Sequence, residues 1–241
     1  MSNNIKMYLR IILEFVFEKK PKDFKKIPII INNYNRVTML KELINDFEIR
    51  GYHNIYIIDN NSSYQPLIDF YESSNYKVFR LKRNIGFKAL WKSNLWYKFL
   101  FSYYCYTDSD LSLVKDCPED FLENFYNQLK KDNKVHKVGF SLKIDDLPEC
   151  YLKKQDVIEW ESKYYAHENE PNVYIAPIDT TFALYRPFSR RGKRDGTDKM
   201  LRIGFPYQCH HKPWYVDSKN LTEEESYYIN SVSKPTQWSK I

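Results

Sequence analysis

Glycine is scarce in this chain, with 6 in 241 residues, and no G-x-G-x-x-G or G-K-[ST] run occurs. Dinucleotide-dependent dehydrogenases and P-loop enzymes cradle phosphates on such loops, so both classes are excluded. Cysteine is equally sparse. Cys105, Cys117, Cys150 and Cys209 form no C-x-x-C pair and no regular spacing, which speaks against a disulfide framework and a structural zinc site. A reducing compartment, the cytoplasm, is the expected setting. No apolar run approaches the ~20 residues of a membrane span. The apolar stretch from Ile5 to Phe17 is not followed by a small-residue cleavage site, so no signal peptide is expected. Basic residues are nowhere interleaved with aromatics in a reader pattern, and no nucleic-acid partner is expected. There is no internal repeat.

What the chain has in quantity is aromatic residues, 17% of the total, including 21 Tyr and 15 Phe. Together with the length, they suffice for a sizeable core of one domain, or one domain with a small lobe. The mean hydropathy of −0.64 reflects Lys and Asn rather than a missing core. The net charge of +6 is unevenly placed. Most of it falls in residues 1–27, where Lys6, Arg10, Lys19, Lys20, Lys22, Lys25 and Lys26 outweigh Glu14, Glu18 and Asp23. A second basic cluster runs from Arg186 to Arg202 and includes Arg190, Arg191, Lys193, Arg194 and Lys199. Clusters of this kind suit a phosphate or an anionic membrane surface, or are simply solvated loops. In the first stretch Lys6, Arg10, Glu14 and Glu18 recur every four residues, so residues 1–26 read as a helix with one narrow polar stripe. Such a helix either packs on the domain or lies on a membrane.

From residue 28 the chain alternates between short apolar runs and helical spacing. Strands are expected at Ile29–Ile31, Ile55–Ile58, Lys77–Leu81, Tyr103–Tyr106 and Val135–Leu142. Helices are expected over Thr38–Glu48, Leu67–Tyr71 and 87–98, with another opening near Pro118. Continuous apolar strands separated by helices indicate a mostly parallel sheet covered on both faces. Ligands in such sheets bind beyond the carboxyl ends of the strands. Here those ends are all polar: Asn32-Asn33-Tyr34-Asn35, Asp59-Asn60-Asn61-Ser62, Arg83-Asn84-Ile85-Gly86 and Asp108-Ser109-Asp110. One such loop is an ordinary turn. Four on one edge form a candidate polar cleft. Residues 27–145 thus make a nucleotide-binding half. Residues 146–241 make a second region, with strands at Val173–Ile178 and Phe182–Tyr185, an aperiodic basic stretch over 186–202, and a final helix opened by the capping box Thr222-Glu223-Glu224-Glu225.

Asp108-Ser109-Asp110 is the central feature. Two carboxylates one residue apart at a strand end can converge on a hard cation, Mn²⁺ or Mg²⁺, which shares its ligands with substrate phosphates. Alone the pattern is as common as a helix cap or turn. In order and spacing, however, Pro28-Ile29-Ile30-Ile31-Asn32-Asn33-Tyr34-Asn35-Arg36, Ile57-Ile58-Asp59-Asn60-Asn61-Ser62, Arg83-Asn84-Ile85-Gly86 and Thr107-Asp108-Ser109-Asp110 together resemble the family 2-like glycosyltransferases of GT-A fold, over about residues 27 to 145.

The resemblance implies a Rossmann-like α/β fold and a metal-dependent enzyme. Such an enzyme moves a sugar from a nucleotide-sugar donor, most often a UDP-sugar, to a glycan or lipid-linked glycan in bacterial surface-polysaccharide synthesis. Asn33 and Tyr34 would line the nucleotide pocket, and Asp59 would bond the base. Asn84 and Gly86 would lie beside the nucleoside. Asp108 would contact ribose or metal, and Asp110 the metal. In the second half Asp179, a polar point between apolar runs, is the candidate base of an inverting reaction, although the Glu-Asp pair usual in the family is missing. His211 in His211-Lys212-Pro213-Trp214-Tyr215 is the candidate late metal ligand, with Trp214 near the site. Arg191, Lys193 and Arg194 would form a lid over the diphosphate, and the N-terminal helix would touch the inner face of the membrane. A nucleotidyltransferase would need a glycine-rich loop after the first strand, where this chain has Asn32-Asn33-Tyr34-Asn35-Arg36. A non-catalytic nucleotide- or glycan-binding relative would not need the Asp108–Asp110 pair.

Overall fold

The computed structural model describes residues 20–189 and 199–232, together with Ile5, Tyr8, Leu9, Ile12 and Val16. Ten strands form one sheet: β1 (Ile29–Asn33), β2 (Ile55–Asp59), β3 (Lys77–Arg80), β4 (Tyr104–Asp108), β5 (Leu111–Leu113), β6 (Val135–Leu142), β7 (Glu168–Glu170), β8 (Val173–Ile175), β9 (Ala183–Tyr185) and β10 (Lys199–His211). Their spatial order is β3-β2-β1-β4-β9-β6-β10-β8-β7, with β5 paired to β10. The helices are α1 (Thr38–Glu48), α2 (Gln65–Ser73), α3 (Ala89–Lys92), α4 (Phe121–Lys131), α5 (Lys154–Ser162) and α6 (Glu223–Ser231).

The first four strands in spatial order are parallel, and alternate residues along them feed two cores. Ile29, Ile31, Ile57 and Cys105 point into the larger core with Leu40, Leu43 and Phe47 of α1 and Phe121 and Phe125 of α4. Ile30, Ile58, Tyr104 and Tyr106 face the other way, onto Ala89, Leu90 and Trp91 of α3. Burial on both faces is why these strands read as unbroken apolar runs.

Strand β9 runs antiparallel between β4 and β6, so the second half of the chain is threaded through the sheet of the first. The fit is close at Gly139 of β6, opposite Ala183, where an added Cβ would stand 2.1 Å from the Phe182 carbonyl oxygen.

Several elements differ from the sequence expectation. The helix expected over 87–98 is broken into α3 and a 3₁₀ turn at Leu95–Lys98, because Asn94 takes a left-handed conformation (φ 62°). The helix expected at Pro118 begins at Phe121. The aperiodic basic stretch ends in β10, a 13-residue strand. Residues Ile5, Tyr8, Leu9, Ile12 and Val16 are helical and lie on one helical face. Each is about half exposed or more, so this face does not pack on the domain. Among the described residues no helix is long and apolar enough to cross a membrane.

Gly139→Ala should lower the unfolding free energy by about 3 kcal/mol, because the backbone facing the new methyl group cannot yield without parting β9 from β6. A shifted urea midpoint with an unchanged slope would register the loss.

Candidate functional site

Parallel register lines up the polar strand ends. Asn33 stands opposite Asp59, Asn32 opposite Asp108, and Asp59 opposite Arg80. The side chains then tie the loops together. Asn32 Nδ2 donates to Asp108 Oδ1 at 2.9 Å, and Asn60 Nδ2 donates to Asn32 Oδ1 at 2.6 Å. Asn33 is buried. Its amide donates to the Arg36 carbonyl and accepts from Ser109 Oγ at 2.6 Å. Tyr34 is half-buried, with its hydroxyl on the Ser231 carbonyl.

Asp59 is fully buried. Its carboxylate accepts from the Ser62 amide and the Tyr71 hydroxyl, and Arg80 Nε lies 3.8 Å away. Asn84 is exposed and closes its own turn by accepting from the Gly86 amide at 2.9 Å. Gly86 has φ +76° with open space where a Cβ would stand, so backbone conformation rather than crowding calls for glycine there. Asn60 also bonds both Ile85 N and Gly86 O. It joins the second and third polar loops, a role that composition alone did not single out.

Asp108 and Asp110 sit on either side of the turn between β4 and β5. The antiparallel pairing of β5 with β10 sets His211 opposite Leu111 and brings its Nε2 to 3.7 Å from Asp110 Oδ2. Its neighbour His210 turns instead to Asp146, at 3.1 Å. Trp214 is buried against the His211 ring, centroid to centroid 4.6 Å.

Asp179 lies on the irregular strap between β8 and β9, exposed between buried Ile178 and Thr180. Buried cations hold this strap by its carbonyls. Arg202 Nε donates to Pro177 O at 2.9 Å, and the Lys137 ammonium donates to Ile178 O, Asp179 O and the Tyr185 hydroxyl. Next along, Thr180 O accepts from the Asp108 amide at 2.9 Å. Two chain segments far apart in sequence are thereby locked edge to edge. Arg191, Lys193 and Arg194 lie outside the described residues.

These groups feel one another. Burial pushes the Asp108 carboxyl up to about 8, and the charges of Asp110 and Asp179 add to the rise against hydrogen bonds from Thr180 and Asn32. Burial lowers His211 below its ordinary value against the pull of Asp110 and Asp179, so its imidazole is neutral at neutral pH. Its Nδ1 is buried with no hydrogen-bond partner among the described residues.

Two neighbouring carboxylates, one of them without an ion-pair partner among the described residues, beside a neutral imidazole with an unused nitrogen, are chemically suited to a divalent cation. Asp108, Asp110 and His211 are the residues that would hold it. Among the described residues, however, no three His, Cys, Asp or Glu side chains stand close enough to enclose an ion as they are. Asp110 is instead engaged by Arg36, whose guanidinium nitrogen lies 2.9 Å from Oδ2.

Fold and site edge together define an α/β protein of GT-A type. No family model and no curated protein sequence matches the chain, but solved structures do. The crystal structure of GalNAc-T7 with UDP, GalNAc and Mn²⁺ superposes with a TM-score of 0.50 at 13% identity, covering 79% of this chain and 44% of that one. Staphylococcus aureus TarS 1–349 gives 0.45 at 13% identity, covering 78% and 60%. Glucosyl-3-phosphoglycerate synthase from Mycobacterium tuberculosis, in complex with Mn²⁺ and UDP-glucose, gives 0.42 at 15% identity, covering 72% and 59%. The chain spans less than two thirds of the length of each. The likeness to GalNAc-T7 establishes the shared fold.

The Asp108 carboxyl titrates higher in the folded chain than its ordinary 3.8. Its stabilising contribution is therefore complete below the ordinary value and lost as pH rises through about 8. In the metal-free protein, Asp108→Asn should flatten the fall of the urea midpoint between about pH 5 and about pH 8.5. An equal fall in both proteins would show that Asp108 ionises without penalty.

Proposed function

We infer that this protein is a metal-dependent glycosyltransferase that moves a sugar from a nucleoside-diphosphate donor, a UDP-sugar in the first instance, to a glycan or lipid-linked glycan acceptor. The observation that carries this reading is the meeting of Asp108, Asp110, His211 and Asp179 on the polar edge of a GT-A sheet. GalNAc-T7 carries UDP and Mn²⁺ on this fold, which supports the choice of nucleotide and ion. Asp59, Asn84 and Gly86 flank the place of the nucleoside, with Asn33 and Tyr34 behind them. Asp108 and Asp110, with His211, would hold a divalent cation, which when bound would supply charge neutralisation at the diphosphate.

Asp179 would take the proton of the acceptor hydroxyl. The acceptor oxygen then bonds the anomeric carbon as the bond to the diphosphate oxygen breaks, its electron pair leaving with the nucleotide. Displacement from the opposite face inverts the anomeric centre. Lys137 and Arg202 grip the carbonyls of the strap that carries Asp179, which supports a base held in one position.

The chain should be melted with UDP, GDP, CDP, UDP-glucose and UDP-GalNAc, each with and without Mn²⁺. A Mn²⁺-dependent rise of about 5 °C with the UDP compounds is expected. Asp108→Ala and Asp110→Ala should each abolish it. Asp179→Asn should keep the rise but lower sugar transfer at least about a hundredfold. Indifference to every nucleotide would leave a fold relative that does not turn over a donor.

The exposed apolar face of the N-terminal helix, amid the basic residues of 1–27, supports a peripheral station at the inner face of the membrane. Deleting residues 1–20 should release the protein from anionic vesicles in a flotation assay. Undiminished binding would reject that station.

A further inference from the structure

Arg36 follows the first polar loop directly, yet it is 4% exposed and stands at the centre of the candidate site. One terminal nitrogen lies 2.9 Å from Asp110 Oδ2 and the other 3.0 Å from Glu225 Oε2 of α6. The Tyr228 ring, one turn further along α6, lies against the guanidinium at 3.7 Å. Arg36 Nε is buried with no hydrogen-bond partner among the described residues. The same helix is moored around the first polar loop. Glu224 accepts from the amides of Val37 and Thr38 and from the Thr38 hydroxyl. Ser231 accepts from Tyr34 and Asn35. Arg36 thus joins a candidate metal ligand to the helix that walls this loop.

Resting on the metal-site reading above, we propose that Arg36 is a positioning residue that stands in for the divalent cation at Asp110 and couples occupancy of the ion site to the docking of α6. A buried guanidinium distributes its attraction among its acceptors. While it holds Asp110 Oδ2, the oxygen that also lies 3.7 Å from His211 Nε2 is already taken by a cation, and among the described residues no three such side chains enclose an ion. A divalent ion competes for the Asp110 oxygens. Once it wins them, the guanidinium belongs to Glu225 and Tyr228 alone, and α6 is held more firmly. Linkage makes this reciprocal: what the ion does for α6, α6 docking does for the ion.

The test is Mn²⁺ alone, titrated calorimetrically into the full chain, with amide hydrogen exchange of residues 223–231 measured with and without the ion. Arg36→Met should tighten Mn²⁺ about tenfold by removing its competitor. In the wild type Mn²⁺ should slow exchange in α6, and in Arg36→Met it should not. Removal of a neighbouring positive charge would tighten Mn²⁺ as well, but would not link the ion to α6. Should Arg36→Met fail to fold, Glu225→Gln decides: it gives Arg36 wholly to Asp110, weakening Mn²⁺ about threefold and abolishing the slowed exchange.

Wild-type α6 exchange indifferent to Mn²⁺, or unchanged Mn²⁺ affinity in the variant, overturns the proposal. Asp110→Asn separates that failure from a failure of the metal reading. If it binds Mn²⁺ as the wild type does, or if no protein binds the ion, the metal site itself is refuted and the role of Arg36 falls with it.

Discussion

The pairing of β1 with β4 in parallel register sets Asn32 against Asp108, and the rest of the site is arranged around that contact. A slip of one residue would turn Asn32 into one of the two cores and bring Asn33, now on Ser109, against the carboxylate. The register is held by the burial of Ile29, Ile30 and Ile31 on alternate faces, so the hydrophobic effect on both sides of the sheet fixes the position of a polar group at its edge. From there the order propagates. Asn60 binds Asn32, the third polar loop binds Asn60, and the strap carrying Asp179 binds the Asp108 backbone.

A carboxylate held this way is costly. Asp108 is half-buried and shares its neighbourhood with Asp110 and Asp179, and its raised pKa reflects that cost. Three buried cations serve the surrounding scaffold, and among the described residues none is paired with Asp108. Arg36 answers Asp110 and Glu225, Arg202 answers Glu161 and the strap, and Lys137 spends its protons on two carbonyls and a hydroxyl. The chain thus stabilises the scaffold of the site fully and leaves one carboxylate under-compensated. That is the arrangement expected where a ligand brings the missing charge.

The half of the fold that the sequence revealed is the half whose burial is local. Ile29–Ile31, Ile55–Ile58 and Tyr104–Tyr106 are apolar because both faces of a parallel strand are covered, and their ends are polar because the sheet stops there. Strand β10 gave no such signal. Arg202, Gly204, Pro206, Gln208 and His210 interrupt it, its pairing with β6 shifts between Ile203 and Gln208, and its partners β5, β6 and β8 all lie far away in the chain. Only that long-range pairing carries His211 to Asp110. The capping box at Thr222 announced α6, and the hydrogen bond from Glu225 N to Thr222 Oγ is present. Nothing in a one-dimensional pattern says that the next face of that helix reaches Arg36, 189 residues earlier.

This division bears on how the site would work. The legible part, the row of strand ends, is tied together: Asn32, Asn33, Asp59 and Asn60 are buried, and hydrogen bonds link Asn32 to Asp108 and Asn60 and link Asn33 to Ser109. The illegible part comes from elsewhere in the chain, His211 by way of β10, Asp179 by way of the strap, and Glu225 and Tyr228 by way of α6. These pieces meet the first set of loops by tertiary contact alone, His211 through a strand of the same sheet and Glu225 and Tyr228 through a helix docked on its edge. In the proposed transferase the row of strand ends would place the donor's nucleoside and the added pieces would sense its charge. Because Asp110 touches both sets, through its turn with Asp108 on one side and through Arg36 on the other, a change of charge at that one carboxylate is felt at the sheet edge and at the C-terminal helix together.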